Sequence, residues 1–348
     1  MRTRLAAVLD CLACWHARSL EPGFLPPRFP GKPMLKAAIK SVVRGLGYEV
    51  HRRVSEQASG LVQVAYGPYT IEMYPGSAQP GPTPDTYVWN GVTNGALGRL
   101  VTLAYGKYPD LAVIDVGANV GDTAAVIKTG ADVPVFCIEG DPQIYPILQR
   151  NTRRLPGTTA LHALLGEHEE EITAVFEKEG WNLTVLPDDT RFGRSASHAT
   201  QKTTTVSLTT LDICARRLPD SGRYRLLKVD TEGFDCRILR GGMQFIDRVK
   251  PIITLEYNRD NMDQIDEPGL PTLFALRELG YRHVLVYDER NRLLLATNLH
   301  EEKLLQDLHD YAPGHGSDIY YYDIVLFHAD DSDLADRFLR SERALRSA

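Results

Sequence analysis

The 348-residue sequence predicts an α/β fold: a doubly wound sheet of seven mostly parallel strands, preceded by a helical and lid-forming extension. Apolar, β-branched runs alternate with helical segments, which is the rhythm of βαβ units. A loop that contains glycine, Gly117–Gly121, directly follows the first core run. Several later runs end in acids, as expected where parallel strands meet at the ligand-binding edge of a sheet.

The pattern divides the chain into three regions. Residues 1–110 are predicted to form an N-terminal extension of helices with a lid or substrate-facing segment, residues 111–330 the core, and residues 331–348 a C-terminal helical tail. The core strands are predicted at 112–116, 134–138, 158–164, 225–230, 251–257, 281–287 and 320–328.

Other elements flank these strands. A pair of strands is predicted within 62–73, with Gly67-Pro68 as the turn, and a helix over 86–107. Residues 168–208, between the third and fourth core strands, are predicted to form a long loop beside the acceptor pocket.

Composition excludes several classes of protein. A net charge of −6 disfavours a nucleic-acid groove, which usually carries a basic footprint. No apolar run approaches the roughly 18 residues of a membrane span, so stable membrane insertion is not expected. The five cysteines, including Cys11-x-x-Cys14, are interpreted as reduced thiols, which predicts a cytoplasmic protein. Composition leaves open whether the chain forms a homo-oligomer.

The glycine loop indicates a nucleotide-like cofactor. Backbone N–H groups at the following helix start can bind a carboxylate or phosphate. A dinucleotide fingerprint has a second glycine where this chain has Asn119, which argues against NAD and FAD. Asp115, directly before the loop, would repel a pyrophosphate and suits a cationic ammonium or sulfonium. S-adenosylmethionine has both cations, together with a carboxylate for the helix N-terminus.

Acids at the other strand ends complete the predicted cofactor site. Glu139, at the end of the second strand, can accept hydrogen bonds from both ribose hydroxyls. His162 lies on the third strand, where adenine commonly packs in this fold. The residues predicted to bind the cofactor are Asp115, Gly117, Ala118, Asn119, Gly121, Asp122, Glu139, Gly140, His162 and Asp230.

The ordered motifs resemble the FkbM family of class I S-adenosylmethionine-dependent methyltransferases. They are Asp115-Val-Gly-Ala-Asn-Val-Gly121, Ile138-Glu139-Gly-Asp-Pro142, Thr210-Leu211-Asp212, Leu227-Lys228-Val229-Asp230-Thr231-Glu232-Gly233, Leu239-Arg-Gly-Gly242 and Leu255-Glu256. The resemblance covers roughly residues 111–328. It implies a Rossmann-like sheet whose last strand inserts antiparallel beside the fifth, and O-methylation of a hydroxyl on a sugar, polyketide-type metabolite or glycan.

The chemistry of methyl transfer directs attention to three side chains. An alcohol is a poor nucleophile, so a base or a metal must take its proton. Asp230 is the leading candidate for the base and Glu256 the second, with Lys228 placed to position Asp230. Alternatively, Asp230, Glu232 and Glu256 hold Mg²⁺, which would acidify the hydroxyl. A nicotinamide-dependent oxidoreductase and an N-methyltransferase acting on an amine stay open as other functions.

Overall fold

Strands and helices alternate along the core of the protein, as its sequence pattern predicts. The computed structural model describes residues 60–74, 95–179, 182–187, 203–311 and 319–345. These all lie in one compact unit, residues 54–348. The Cys11-x-x-Cys14 pair and the first part of the helix predicted over 86–107 lie outside the described residues.

The described helices are α1 (Gly95–Lys107), α2 (Asp122–Gly130), α3 (Tyr145–Thr152), α4 (Leu211–Arg216), α5 (Asp235–Arg240), α6 (Met243–Val249), α7 (Arg259–Gln264), α8 (Leu270–Glu278), α9 (Glu302–Tyr311) and α10 (Ser332–Leu345). The described strands are β1 (Val62–Tyr66), β2 (Tyr69–Met73), β3 (Val113–Val116), β4 (Val135–Glu139), β5 (Thr158–His162), β6 (Leu164–Gly166), β7 (Glu170–Glu179), β8 (Asn182–Pro187), β9 (Thr203–Thr210), β10 (Leu226–Val229), β11 (Ile252–Tyr257), β12 (Tyr281–Asp288), β13 (Leu293–Asn298) and β14 (Tyr322–His328).

An eight-stranded sheet in the order β13-β12-β14-β11-β10-β3-β4-β5 forms the core. The strands from β11 to β5 are parallel to one another, while β14 inserts antiparallel between β11 and β12. All seven predicted core strands are therefore present, and the predicted antiparallel last strand is confirmed. The eighth strand, β13, was not predicted; it continues from β12 through a tight turn and pairs with it antiparallel.

Helices cover both faces of this sheet. One hydrophobic layer joins α1, α2, α3 and α10 to the sheet, through fully buried side chains such as Leu100, Ile127 and Phe338. The other joins α4 to α9, through side chains such as Phe245 and Leu276. This three-layer burial leaves the carboxyl ends of the parallel strands as the open edge, which is where the ligand crevice of such folds lies.

The prediction of a long loop over residues 168–208 is wrong for the described part of this segment. Strands β7, β8 and β9 form a second sheet with β6, in the order β6-β9-β7-β8. Strand β9 is rich in threonine and also contains a valine, and such β-branched residues favour extended backbone. Strand β9 pairs with β6 and β7, which lie far from it in the sequence, so composition alone suggested a loop.

The hairpin of β1 and β2 has the predicted strands and the predicted turn at Gly67-Pro68. It contacts α2 and α3 rather than the main sheet. Within the described part of the chain, none of the helices is long and apolar enough to cross a membrane.

Candidate active site

The glycine loop between β3 and α2 takes a conformation that requires glycine. Gly117 has a φ of 74°, Asn119 of 48° and Gly121 of 92°, all in the left-handed region. A Cβ on Gly117 would lie 1.7 Å from the carbonyl oxygen of Asp230, so the loop packs directly on the end of β10. A side chain at 117 is therefore excluded both by its backbone angles and by its neighbour.

Glu139, at the end of β4, fixes the position of this loop. Its Oε2 accepts the N–H of Asn119 at 2.8 Å, and its Oε1 accepts the N–H of Asp141 at 2.7 Å. Burial raises the pKa of Glu139, and the backbone N–H groups of Asp141 and Asn119 oppose the rise. Each carboxylate oxygen keeps one further lone pair, so the side chain can still accept two hydrogen bonds from a ligand.

A cavity of about 480 Å³ opens at this edge of the sheet. Nine predicted site residues line it: Gly117, Asn119, Asp122, Glu139, Gly140, Lys228, Asp230, Glu232 and Glu256. Part of the lining is apolar and is formed by Ile138, Ala163, Leu164, Leu165 and Leu208. The second sheet thus contributes to the wall through β6 and β9.

Four predicted residues are absent from the lining. Asp115, at the end of β3, and the loop residue Ala118 are fully buried, and Gly121 is the last residue of the loop. His162 is exposed, and its ring stacks on Tyr145 with 4.8 Å between the ring centroids. Its predicted packing against adenine stays a prediction, because the cavity begins at the next residue, Ala163.

Lys228 lies at the centre of the acids. Its Nζ is 3.4 Å from Asp115 Oδ1 and 3.2 Å from Asp230 Oδ2, and its side chain is 8% exposed. Burial alone would lower the pKa of Lys228, but Asp230 and Asp115 raise it, so the amine is a cation. Neither carboxylate oxygen of Asp115 has a hydrogen-bond partner among the described residues, which leaves the ion pair as its compensation.

A row of carboxyl groups crosses the sheet edge beside Lys228. Asp230 follows β10, while Glu256 on β11 and Asp323 on β14 are register partners. Burial raises the pKa of Glu256 well above its ordinary value, and the charges of Asp230 and Glu232 add to the rise. Burial and the charge of Asp230 likewise raise the pKa of Asp323, to about 7.

Asp323 and Tyr321 are the site residues that sequence reasoning missed. Tyr321 lines the cavity, and Asp323 lines a smaller cavity of about 60 Å³ together with Lys228 and Asp230. The available signal was the direction of β14. An antiparallel last strand begins at the edge where its parallel neighbours end, so the run Tyr320-Tyr-Tyr-Asp323 had to reach the site.

Asp235 organises the loop that carries Asp230. Its Oδ2 accepts from Thr231 Oγ1 at 3.0 Å, Thr231 N at 3.3 Å and Gly233 N at 3.3 Å. Glu232, in the same loop, accepts from Asn261 Nδ2 at 2.6 Å. Within the described ranges, no three His, Cys, Asp or Glu side chains are grouped to hold a metal ion.

The raised pKa of Asp323 predicts a pH dependence of stability. A folded-state pKa of about 7 against an ordinary value of 3.8 means that, between these pH values, the native protein holds a proton that the unfolded chain lacks. The free energy of unfolding contributed by Asp323 is therefore present below about pH 4 and is lost as the pH rises through about 7. We expect the melting temperature of Asp323→Asn to fall less than that of wild type across this window. The exposed Asp307→Asn is the control, and equal pH dependence in all three proteins would contradict the prediction.

The sheet order and the glycine loop define a Rossmann-like class I methyltransferase fold. Residues 115–283, slightly less than half of the chain, match the model of the methyltransferase FkbM domain. Among curated proteins, none matches its sequence significantly.

Solved structures with similarity include a methyltransferase FkbM from Methylobacillus flagellatus, at 14% identity and a TM-score of 0.35, over 63% of this chain and 43% of that one. A precorrin-6y C5,15-methyltransferase from Geobacter metallireducens gives 13% identity and a TM-score of 0.31, over 66% and 87% of the two chains. TYW2 from M. jannaschii, in complex with AdoMet, gives 10% identity and a TM-score of 0.36, over 81% and 90%. The chain therefore matches less than half the length of the first of these proteins.

Proposed function

We propose that the protein transfers a methyl group from S-adenosylmethionine to a hydroxyl of a small molecule or glycan, such as a sugar or a polyketide-type metabolite. The observation that carries this proposal is the charge of the cavity. Among the described residues, six acids line it against one cation, Lys228: Asp122, Glu139, Asp141, Asp230, Glu232 and Glu256. Such a lining attracts a cationic sulfonium and ammonium and repels the pyrophosphate of a dinucleotide.

The residues present fit this cofactor. The cradle at Gly117 would be filled by any Cβ, and the loop N–H groups beside it suit a carboxylate. Glu139 keeps two acceptor positions for ribose hydroxyls. The apolar wall of β6 and β9 suits a purine ring. S-adenosylmethionine supplies an electrophilic methyl carbon bonded to a cationic sulfur.

The acceptor's proton goes to Asp230 in this proposal. The Asp230 side chain is 41% exposed and lies in the cavity lining, so an acceptor hydroxyl can reach it. The Lys228 ammonium, 3.2 Å from Asp230 Oδ2, positions this carboxylate. Glu256 is the second candidate base. Its raised pKa favours the protonated form, in which it donates to the acceptor rather than accepts from it.

Two alternatives remain within the same site. An amine acceptor is favoured by the row of carboxyl groups, which would bind an ammonium as well as a sulfonium. A Mg²⁺ ion between Asp230, Glu232 and Glu256 would replace the base; it would have to displace the hydrogen bond from Asn261 to Glu232 and the one from Asn258 to Glu256. Paired assays on a sugar alcohol and its amino-sugar analogue test for an amine acceptor. Assays with and without a chelator test for a Mg²⁺ ion.

We also propose a cytoplasmic location and no nucleic-acid partner. The described thiols Cys137, Cys214 and Cys236 are free and buried, which supports a reducing compartment. The acidic lining of the cavity is a poor match for a phosphate backbone. The oligomeric state is left to measurement.

Glu139→Ala is expected to weaken binding of an S-adenosyl ligand by about 1–3 kcal/mol, because two hydrogen bonds to a charged group are lost. Part of this loss is indirect, since Asn119 N–H also loses its acceptor. Calorimetric titration with S-adenosylhomocysteine measures the change, with the exposed Glu169→Ala as control. Unchanged affinity in Glu139→Ala would remove Glu139 from the cofactor site.

A further inference from the structure

The hairpin of β1 and β2 reaches the cofactor side of the cavity, although it precedes the segment that matches the FkbM domain. Met73, the last residue of β2, is 2% exposed and lines the cavity. The lining also includes Val120 of the glycine loop, Asp141 and Ile144. The sequence predicts that the region before residue 111 faces the acceptor, whereas Met73 lies among residues of the cofactor motifs.

Asn151 on α3 ties this hairpin to the glycine loop. It is fully buried. Its Oδ1 accepts the N–H of Glu72 at 2.8 Å, and its Nδ2 donates to the carbonyl of Glu72 at 2.8 Å and to the carbonyl of Val120 at 2.7 Å. Both donors of the side-chain amide are used.

The geometry of these bonds explains why an amide is needed. The N–H and C=O of one strand residue point to the same side, and Glu72 bonds through both to Asn151. The side-chain amide therefore takes the place of a neighbouring strand along the edge of β2. Its second N–H is left for the loop carbonyl of Val120. Few other side chains supply one acceptor and two donors in this arrangement.

Two ion pairs hold the same hairpin from outside. Glu72 Oε2 is 2.9 Å from Arg150 Nε, and Glu72 Oε1 is 2.7 Å from Arg154. The arginine side chains are 44% and 37% exposed, so water and salt screen both pairs. Arg150 lies on α3 and Arg154 just after it, and both bind the side chain of Glu72 rather than its backbone, which makes them a matched comparison for Asn151.

We propose that the β1–β2 hairpin is part of the cofactor site, and that Asn151 is the positioning residue that couples it to the glycine loop. This inference rests on the proposed function for the identity of the ligand. A ligand that orders the Gly117–Gly121 loop then orders Glu72 and Met73 through Asn151. The coupling is reciprocal, so a change that loosens the hairpin lowers the affinity of the site for the ligand.

Hydrogen–deuterium exchange of the full chain, with and without S-adenosylhomocysteine, tests the coupling directly. We expect the ligand to slow exchange in residues 62–74 as well as in the glycine loop. Asn151→Asp keeps the acceptor for Glu72 N–H but replaces both donors by a carboxylate beside two carbonyls. It should lose protection of the hairpin and bind S-adenosylhomocysteine about 10-fold more weakly, within the usual range of coupling between sites.

Arg154→Ala is the control and should keep both the affinity and the protection of the hairpin. If Asn151→Asp fails to fold, the exchange of the wild-type chain still decides the matter. Ligand binding that leaves hydrogen exchange in residues 62–74 unchanged would overturn this inference but not the proposed function. Wild-type protein that binds no S-adenosylhomocysteine at all would overturn the proposed function and this inference with it.

Discussion

Asp230→Asn is expected to lower turnover by roughly 10²–10⁴-fold and to leave cofactor affinity nearly unchanged. The amide keeps the shape of the side chain but cannot take the proton of the acceptor hydroxyl. Lys228 keeps Asp115 as a partner at 3.4 Å, so the fold should survive. Single-turnover assays and calorimetry on the same preparation separate the chemical step from binding.

Asp263→Asn is the matched control, because Asp263 lies outside the cavity, is 50% exposed and forms an ion pair with Arg259. A chelator distinguishes the two accounts of Asp230. Chelator-insensitive turnover in wild type beside an inactive Asp230→Asn supports the base. Inhibition that added Mg²⁺ reverses supports a metal ligand. An active Asp230→Asn at saturating substrate would remove Asp230 from the mechanism and leave Glu256 and proximity.

Lys228→Met is expected to lower the free energy of unfolding by about 3–5 kcal/mol, because it leaves a buried carboxylate without its partner. Asp115 is fully buried, and among the described residues its carboxylate oxygens have no hydrogen-bond partner that would replace the ion pair. Urea unfolding near pH 7 measures the loss. The loss should be smaller near pH 5, where Asp115 can take up a proton more cheaply.

Lys303→Met provides the comparison for Lys228. Lys303 is 91% exposed and lies 3.7 Å from Asp307, so its removal should cost less than about 1 kcal/mol. A Lys228→Met protein as stable as Lys303→Met would show that Asp115 is neutral in the native state. The ion pair between Lys228 and Asp115 would then not contribute to the stability of the fold.

Local patterns made most of the sheet predictable. Glycines in a loop after an apolar strand, and acids at strand ends, are readable because a few adjacent residues decide them. Strand β13 was missed although its partner β12 directly precedes it in the sequence. The β6–β9 sheet was missed because β9 pairs with β6 and β7, which lie far from it along the chain. In the same way, Leu208 reaches the cavity only through the parallel pairing of β9 with β6.

Some residues of the candidate site could be predicted from local motifs, and others could not. Gly117, Glu139 and Asp230 are each marked by a motif, and the structure brings all three to one cavity. Asp323 carries no motif, and the direction of its strand decides its place. Asn151 lies in an ordinary helix, and only the fold reveals its bonds to Glu72 and Val120.

Calorimetric titration of the full chain with S-adenosylmethionine, S-adenosylhomocysteine and NAD tests the central claim most directly. The acidic lining, the Gly117 cradle and the free lone pairs of Glu139 predict that both S-adenosyl ligands bind and that NAD does not. Binding of NAD, or no binding of either S-adenosyl ligand, would contradict the account.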